Sequence, residues 1–344
     1  MKDIIFRVDA YADIGTGHFM RCLSLADAYK ERGQGQVFFI THCSSCQLIK
    51  KMEERTFGFY LLNSPSSTSE SLKLVKSVVD KAKEPWVLLD GMQFDDKYQL
   101  SIIDTGCELL VIDDMAALNH YYAHIVLNQN LHASGLRYNC EPFTELLIGT
   151  DYVLLRREFR RWPIIIKEIR KKAQNILVSL GGADVQNYSA KVLLVLGGIK
   201  EVEVILVVGA SNPNIEYLQK IAARNVKVVH NVQNMSELMA WADVAIASGG
   251  TTVWELAFMG VPAVIGRVAP IEDYLIGGLN KIGLYADIGW YGTVGLNKLR
   301  EVVLRLLDDM DLRVKMSKQA RQLVKGNGAE LVLNAMENYK KTDV

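Results

Sequence analysis

Short apolar runs alternate with helix-periodic stretches along most of the chain, and their spacing predicts parallel βα units. In the first half the runs predict strands at 4–8, 36–41, 85–90, 108–112 and 124–127. Amphipathic helices are expected between them, one from 18 to about 32 and another around 69–81. Val87-Leu88-Leu89-Asp90 and Leu109-Leu110-Val111-Ile112-Asp113-Asp114 are fully apolar runs ending in acids. Such runs suit strands covered by helices on both faces. A second series opens at 175–180 and continues at 202–208, 226–229, 244–247 and 263–265. From about residue 296 the pattern turns helical, with Leu299, Val303, Leu306 and Leu307 forming an apolar stripe. Between the two series, residues 152–172 are rich in Arg and Lys and broken by Pro163; they read as a connector with solvated charges. The expectation is therefore an α/β protein of two Rossmann-like domains facing a cleft. Residues 1–155 form the first domain, and residues 156–344 form the second with a helical tail. Ligands of such sheets bind beyond the carboxyl ends of the strands.

Composition narrows the classes. A chain of 344 residues is comfortable for two cores, and 49% hydrophobic with 23% charged residues is ordinary for a globular protein. Lys+Arg and Asp+Glu both total 39, so charge points to neither nucleic acid nor an anionic membrane. No stretch approaches the roughly 20 apolar residues of a spanning helix. The strand pattern begins within a few residues of the start and leaves no room for a signal peptide, so a cytoplasmic location is expected. The five cysteines are odd in number and dispersed. Cys43 and Cys46 have CxxC spacing, but zinc needs four ligands and no second pair lies at a suitable distance. That segment reads as a loop after the second strand, and no metal is expected.

Three Gly-rich turns follow expected strands. Gly15-Thr16-Gly17-His18 lies between the first strand and the first helix. Glycines there let backbone approach a ligand, the helix start favours an anion, and His18 places a titratable group beside it. The plainer alternative is a βα turn with a solvated histidine. Gly181-Gly182-Ala183-Asp184 opens the second half, and Ser248-Gly249-Gly250-Thr251-Thr252 precedes another helix. The last turn offers N–H groups and hydroxyls at a helix start, a suitable diphosphate cradle. None is a Walker loop or a full GxGxxG. Glu255 is placed either to accept two ribose hydroxyls or to stand as an exposed helical acid. Asn234-Met235 is either a base-binding backbone or an ordinary helix start. His120 and His124 have i,i+4 spacing, and their surroundings favour structural roles.

These pieces resemble the UDP-sugar hydrolases of pseudaminic acid biosynthesis and the related spore-coat polysaccharide proteins, which are built like the two-domain glycosyltransferases that include the lipid II-forming enzyme. The matching residues are Phe6-Arg7-Val8-Asp9, Ile14 to His18, Arg21, Asp90, Asp113-Asp114 and Leu127-Asn128. In the second half they are 152–159, 181–184, 209–214 and 248–262. The match is collinear up to about residue 290. The resemblance implies a glycosyltransferase-B-like fold and hydrolysis of UDP-2,4-diacetamido-2,4,6-trideoxy-β-L-altropyranose, a small-molecule nucleotide-sugar, without metal or cofactor. His18 matches the catalytic histidine. The resemblance places Asp9, Gly15, Gly17, Arg21 and Asp90 on the sugar side. Gly181, Gly182, Asp184, Met235, Ser248, Gly249, Gly250, Thr251 and Glu255 fall on the nucleotide side. The chemistry fits, since attacking water must lose a proton and a near-neutral base contributes about 10²–10⁴-fold. Two positions depart from the pattern: Met92 stands where known members carry tyrosine, and Glu272 where they carry glutamine.

Two other readings use the same residues. A glycosyltransferase would replace water by a sugar acceptor, though no apolar or basic patch for a membrane lipid is evident on the first domain. A non-catalytic nucleotide-sugar binder would not need His18.

Overall fold

The apolar runs become the inner strands of two parallel sheets. A computed structural model describes residues 2–11, 16–64, 69–163, 167–209, 212–230 and 232–339. In the first half the order is β1 (Ile4–Val8), α1 (Gly17–Glu31), β2 (Val37–Thr41), α2 (Cys46–Glu54), β3 (Gly58–Leu61), α3 (Ser69–Val79), β4 (Trp86–Asp90), α4 (Asp96–Ile103), β5 (Glu108–Ile112), β6 (Ile125–Asn128) and β7 (Glu145–Ile148). After α5 (Arg157–Arg160) come β8 (Asn175–Ser179), α6 (Tyr188–Leu196), β9 (Glu203–Val208), α7 (Ile215–Ile221), β10 (Val226–His230), α8 (Met235–Trp241), β11 (Val244–Ser248), α9 (Thr252–Met259), β12 (Ala263–Arg267), α10 (Glu272–Lys281) and β13 (Ala286–Trp290). Three helices end the chain: α11 (Leu296–Asp308), α12 (Met310–Leu323) and α13 (Gly328–Asn338). The strand orders are β3-β2-β1-β4-β5-β6-β7 and β10-β9-β8-β11-β12-β13, every pair parallel.

Strand alternation splits the first core in two. Ile4, Phe6 and Val8 face one side, with Leu88, Leu110 and the helices α1 and α13. Ile5, Val87 and Leu89 face the other, with Val75 and Val78 of α3 and Ile102 of α4. In the second sheet Ile176, Val178, Val204, Leu206, Val244 and Ile246 form a core with Leu299, Val303 and Leu306 of α11.

The chain divides into Met1–Arg157 with Gly326–Val344, and Glu158–Lys325. The sequence places the boundary at 155/156 and keeps the tail with the second half; this division instead gives α13 to the first unit. The reason is local. Val332, Leu333 and Met336 are buried in the first core, each such side chain worth roughly 1.5–3 kcal/mol. Arg32 donates to Glu330 at 2.9 Å and to Asn334 at 2.7 Å, and the Tyr339 hydroxyl reaches the Phe143 carbonyl at 3.1 Å.

The pattern does not predict β3, β7 or β13, and all three are sheet edges. An edge strand is covered less and need not carry a continuous apolar run: β3 and β7 each have two exposed residues. The connector charges are not all solvated, since Lys167 and Arg170 pair with Asp243 at 2.9 and 3.1 Å. Cys43 lies in the stretch after β2 and Cys46 opens α2; among the described residues no cysteine forms a disulfide. His120 meets Glu141 at 3.0 Å and His124 Nδ1 accepts from the Leu109 N–H at 3.0 Å, both structural uses. Among the described residues no helix is long and apolar enough to cross a membrane.

Candidate functional site

The first sheet reverses its strand order between β1 and β4, and open α/β sheets bind ligands at such a switch point. Val8 at the end of β1 pairs with Asp90 at the end of β4. Gly17 begins α1 and His18 follows in its first turn; Arg21, three residues on, shares its face. His18 Nδ1 lies 2.6 Å from Asp90 Oδ1. Arg21 donates from Nε to Asp90 Oδ2 at 2.6 Å and from Nη2 to Asp90 Oδ1 at 2.7 Å. Its Nη1 reaches both oxygens of Asp114 at 2.8 and 3.0 Å. Asn130 donates to Asp114 Oδ1 at 2.6 Å, and the Cys22 thiol lies 3.4 Å from Asp90 Oδ2. Asp90 is buried while the His18 side chain is 32% exposed, so the histidine bridges a fixed charge network and the open strand end.

The charge beside Nδ1 favours one tautomer of His18. Burial works to raise the Asp90 pKa, but the Arg21 charge, His18 and their hydrogen bonds outweigh it and hold this carboxyl far below the usual carboxylate range. Asp114 is likewise lowered, burial being outweighed by Arg21 and His18. An ionised Asp90 can only accept, which favours hydrogen on His18 Nδ1, although Arg21 Nη2, also a donor, lies 3.0 Å from the same nitrogen; in that neutral tautomer Nε2 carries the lone pair. Nε2 can then take a proton from water, and the imidazolium that forms is stabilised by Asp90.

Other residues picked from the sequence fall elsewhere. Asp9 is completely buried and pairs with Arg7. Its Oδ1 accepts the His42 N–H at 2.7 Å and its Oδ2 accepts Gln93 Nε2 at 3.0 Å. These bonds tie β1 to the chain after β2 and to the turn after β4, making Asp9 a brace behind the site. Gly15 and Ile14 lie outside the described residues. Met92 is 79% exposed two residues beyond Asp90. Asp114 and Asn130 were missed as site residues; the acids ending the β5 run were the available signal. Neighbouring Asp113 turns instead to the Met115 and Ala116 N–H groups and to Tyr121.

The second sheet has its own switch point between β8 and β11, where Ser179 pairs with Ala247. Gly181 and Gly182 follow β8, while Ser248 ends β11 and leads through Gly249, Gly250 and Thr251 into α9. The two turns are neighbours: a Cβ on Gly181 would lie 3.8 Å from Ser248 Oγ. Gly249 donates to the Gly266 carbonyl at 3.1 Å, and a Cβ on it would lie 2.1 Å from Ile276 Cδ1, so the turn is pressed against α10. Val253 and Trp254 at the start of α9 donate to the Gly250 and Thr251 carbonyls at 3.1 Å, so N–H groups offered to an anion come from Gly250, Thr251 and Thr252 ahead of them, at the positive end of the α9 dipole. This end of the sheet can therefore hold an anion with backbone alone.

Glu255 is 8% exposed in the first turn of α9, which excludes the exposed-acid alternative. Met235 starts α8 and is buried at 6% exposure, with Ser236 Oγ donating to Asn234 at 2.6 Å. Asp184 turns away from the cradle: its oxygens accept the Tyr188 and Ser189 N–H groups at 2.8 and 2.9 Å. Glu272 is buried beside the turn, where its Oε2 accepts the Val268 N–H at 2.6 Å. Burial pushes its pKa up against its bonds to the Val268, Ala269 and Gly249 N–H groups. Among the described residues, no three side chains of His, Cys, Asp or Glu group as metal ligands.

Residues 175–266 match the glycosyltransferase family 28 C-terminal domain. The uncharacterized protein MJ1062 of Methanocaldococcus jannaschii is 29% identical over 75% of this chain, which spans only about half (54%) of that relative. The UDP-2,4-diacetamido-2,4,6-trideoxy-beta-L-altropyranose hydrolase of Campylobacter jejuni is 29% identical over 73% of this chain and 86% of its own length. The spore coat polysaccharide biosynthesis protein SpsG of Bacillus subtilis is 24% identical over 96% of both. The crystal structure of Acinetobacter baumannii MurG superposes with a TM-score of 0.67 at 17% identity, covering 97% of this chain and 99% of that one. The resemblance read from the sequence is thus shown, and the fold is glycosyltransferase-B-like.

Proposed function

We propose that this chain, a glycosyltransferase-B-like relative of the Campylobacter hydrolase and SpsG, is a UDP-sugar enzyme of surface polysaccharide biosynthesis that hydrolyses its substrate. The observation that carries the reading is a partly exposed His18 whose Nδ1 is fixed by an ionised Asp90 at the switch point of the first sheet. In the proposed step the water oxygen attacks the anomeric carbon and its proton passes to His18 Nε2. The bond from that carbon to the diphosphate oxygen breaks, its electron pair leaves with UDP, and the free sugar is the second product. The N–H groups of Gly250, Thr251 and Thr252, in the turn that opens α9, hold the diphosphate and stabilise the charge it gains. The proposed sugar is the 2,4-diacetamido-2,4,6-trideoxy-altropyranose named for the Campylobacter relative, with Met92 and Glu272 as the positions that set its identity.

The test is UDP release from that nucleotide-sugar by the purified protein with EDTA present, comparing wild type with His18→Ala. Release that the substitution abolishes supports the hydrolase and its base; a fully active variant removes His18 from the chemistry. A second reading, a glycosyltransferase, is favoured by the family 28 domain at 175–266. It requires UDP release to depend on an added sugar acceptor.

A further inference from the structure

At the edge of the second sheet where β8, β11 and β12 begin, opposite the Gly-rich turns, lies a cavity of about 200 Å³. Met239 of α8, Met259 of α9, Val261 and Pro262 before β12, and Trp162 supply apolar walls. Four cationic side chains, Lys167, Arg170, Arg313 and Arg321, also line it. Three are already committed. Lys167 donates to the Trp241 and Ala242 carbonyls at 2.8 and 2.9 Å and pairs with Asp243. Arg170 pairs with the same Asp243. Arg313 donates to the carbonyls of Leu306, Leu307, Arg170 and Lys171 at 2.6–3.0 Å.

Arg321 differs. It comes from α12 and crosses Gly260, which ends α9 at φ +66°; a Cβ there would lie 2.3 Å from Arg321 Nε. The negative end of the α9 dipole favours a cation at this place. The cap uses the Leu256 and Ala257 carbonyls, the Gly260 N–H going to both and the Val261 N–H to Leu256. Among the described residues no side chain or carbonyl accepts from the Arg321 guanidinium. Burial depresses its pKa with no carboxylate opposing the shift. Of the acids in the lining, Asp243 is neutralised by two cations and Glu168 is exposed. A half-buried guanidinium is a strong donor to planar anions, and leaving it without an acceptor is costly.

We propose that this cavity binds a small amphiphilic anion, a carboxylate or phosphate monoester on an apolar body of about one ring, with Arg321 as the residue that takes the anion. A cavity of roughly 150 Å³ holds benzene, so the volume suits one ring and its acid group. The two methionines give walls that adapt to the body's shape. The site is independent of the nucleotide reading, because it lies at the other edge of the sheet.

The test is a ¹⁹F NMR titration of the full chain with 4-fluorobenzoate and with 4-fluorophenyl phosphate, both in saturating UDP. The two probes separate a carboxylate site from a phosphate site. The expected result is saturable binding of at least one probe, with 4-fluorobenzyl alcohol at least tenfold weaker. Arg321→Met is expected to weaken the anion at least tenfold, whereas Arg321→Lys retains most of the binding. Both variants are expected to keep wild-type UDP affinity. No saturable binding of either anion, equal binding of the neutral alcohol, or unchanged binding by Arg321→Met would each overturn the proposal. The alcohol comparison uses wild-type protein, so it stands even where a variant folds poorly.

Discussion

Beyond β1 and β4 the first sheet gathers a histidine, an arginine and two carboxylates, linked into one network through Arg21 and Asp90. Beyond β8 and β11 the second sheet gathers glycines, Ser248 and Thr251, with a helix start behind them. The topological place is the same in both units, but the chemistry is opposite. A proton-transfer site needs titratable side chains with one tautomer favoured, and burying Asp90 against Arg21 does that. An anion cradle needs side chains out of the way so that N–H groups can approach, which Gly250 allows, while Gly249 lets the turn pack against α10. The difference suggests that one unit carries turnover and the other carries nucleotide affinity, so substitutions in each should move different constants.

The sharpest test of that separation is His18→Ala. It is expected to lower kcat by about 10²–10⁴-fold while leaving the UDP dissociation constant within about twofold, measured by calorimetry. Equal losses in both constants would erase the contrast between the sheets. Asp90→Asn should follow, lowering kcat by roughly 10²-fold or more, because an amide can donate to Nδ1 and favour the wrong tautomer. It also removes a charge from a buried pair, so a loss of roughly 3 kcal/mol in urea unfolding should accompany it.

In the second unit the complementary probe is Gly250→Ala. Its Cβ has ordinary room, the nearest atom being Glu272 Oε1 at 3.8 Å, so folding should be unaffected. UDP affinity should drop about tenfold, the equivalent of one hydrogen bond, with kcat at saturation nearly unchanged. Gly249→Ala is the control: with Ile276 at 2.1 Å it should destabilise by roughly 1–3 kcal/mol through overpacking.

The carboxylates beyond the first sheet should also show in acid. Asp90 and Asp114 titrate below their ordinary value of 3.8 in the folded chain. Their stabilisation is complete above that value and is lost as pH falls from there through the lowered pKa values. Unfolding free energy should therefore fall as pH drops below about 4. Asp114→Asn should flatten that slope by up to one proton, about 1.4 kcal/mol per pH unit. An unchanged slope would mean that Arg21 does not hold Asp114 in solution.

Much of this architecture is legible in the chain, and the illegible parts have physical reasons. Inner strands such as β4 and β5 are buried on both faces and announce themselves as apolar runs. Of the four edge strands, β3, β7 and β13 lack a continuous apolar run and lose that signature, whereas β10 keeps three valines and is legible despite two exposed residues. His18 and Arg21 are readable because a glycine turn and helical spacing put them together locally. Their convergence on Asp90 and Asp114, 72 and 93 residues away respectively, is a product of strand order. A carboxylate after an apolar strand looks the same whether it faces a ligand or a neighbour. Asp9 and Asp184 match the motif as Asp90 does, yet Asp9 braces Arg7, His42 and Gln93 from a fully buried position.

Asp184 allows the finest test of the comparison, because it belongs to the anion cradle by sequence and to a helix start by geometry. Its φ of +41° is left-handed, and both its oxygens accept N–H groups of α6. Removing the carboxylate should then act on stability, not affinity. Asp184→Ala is expected to cost about 1–2 kcal/mol, from the lost cap and from the loss of the local hydrogen bonding that lets Asp tolerate a positive φ, with UDP affinity unchanged. Asp184→Asn, which tolerates that backbone and keeps one acceptor, should recover about half of the loss. If Asp184→Ala instead weakens UDP tenfold at unchanged stability, the carboxylate serves the ligand, and the second switch point is not a purely backbone site.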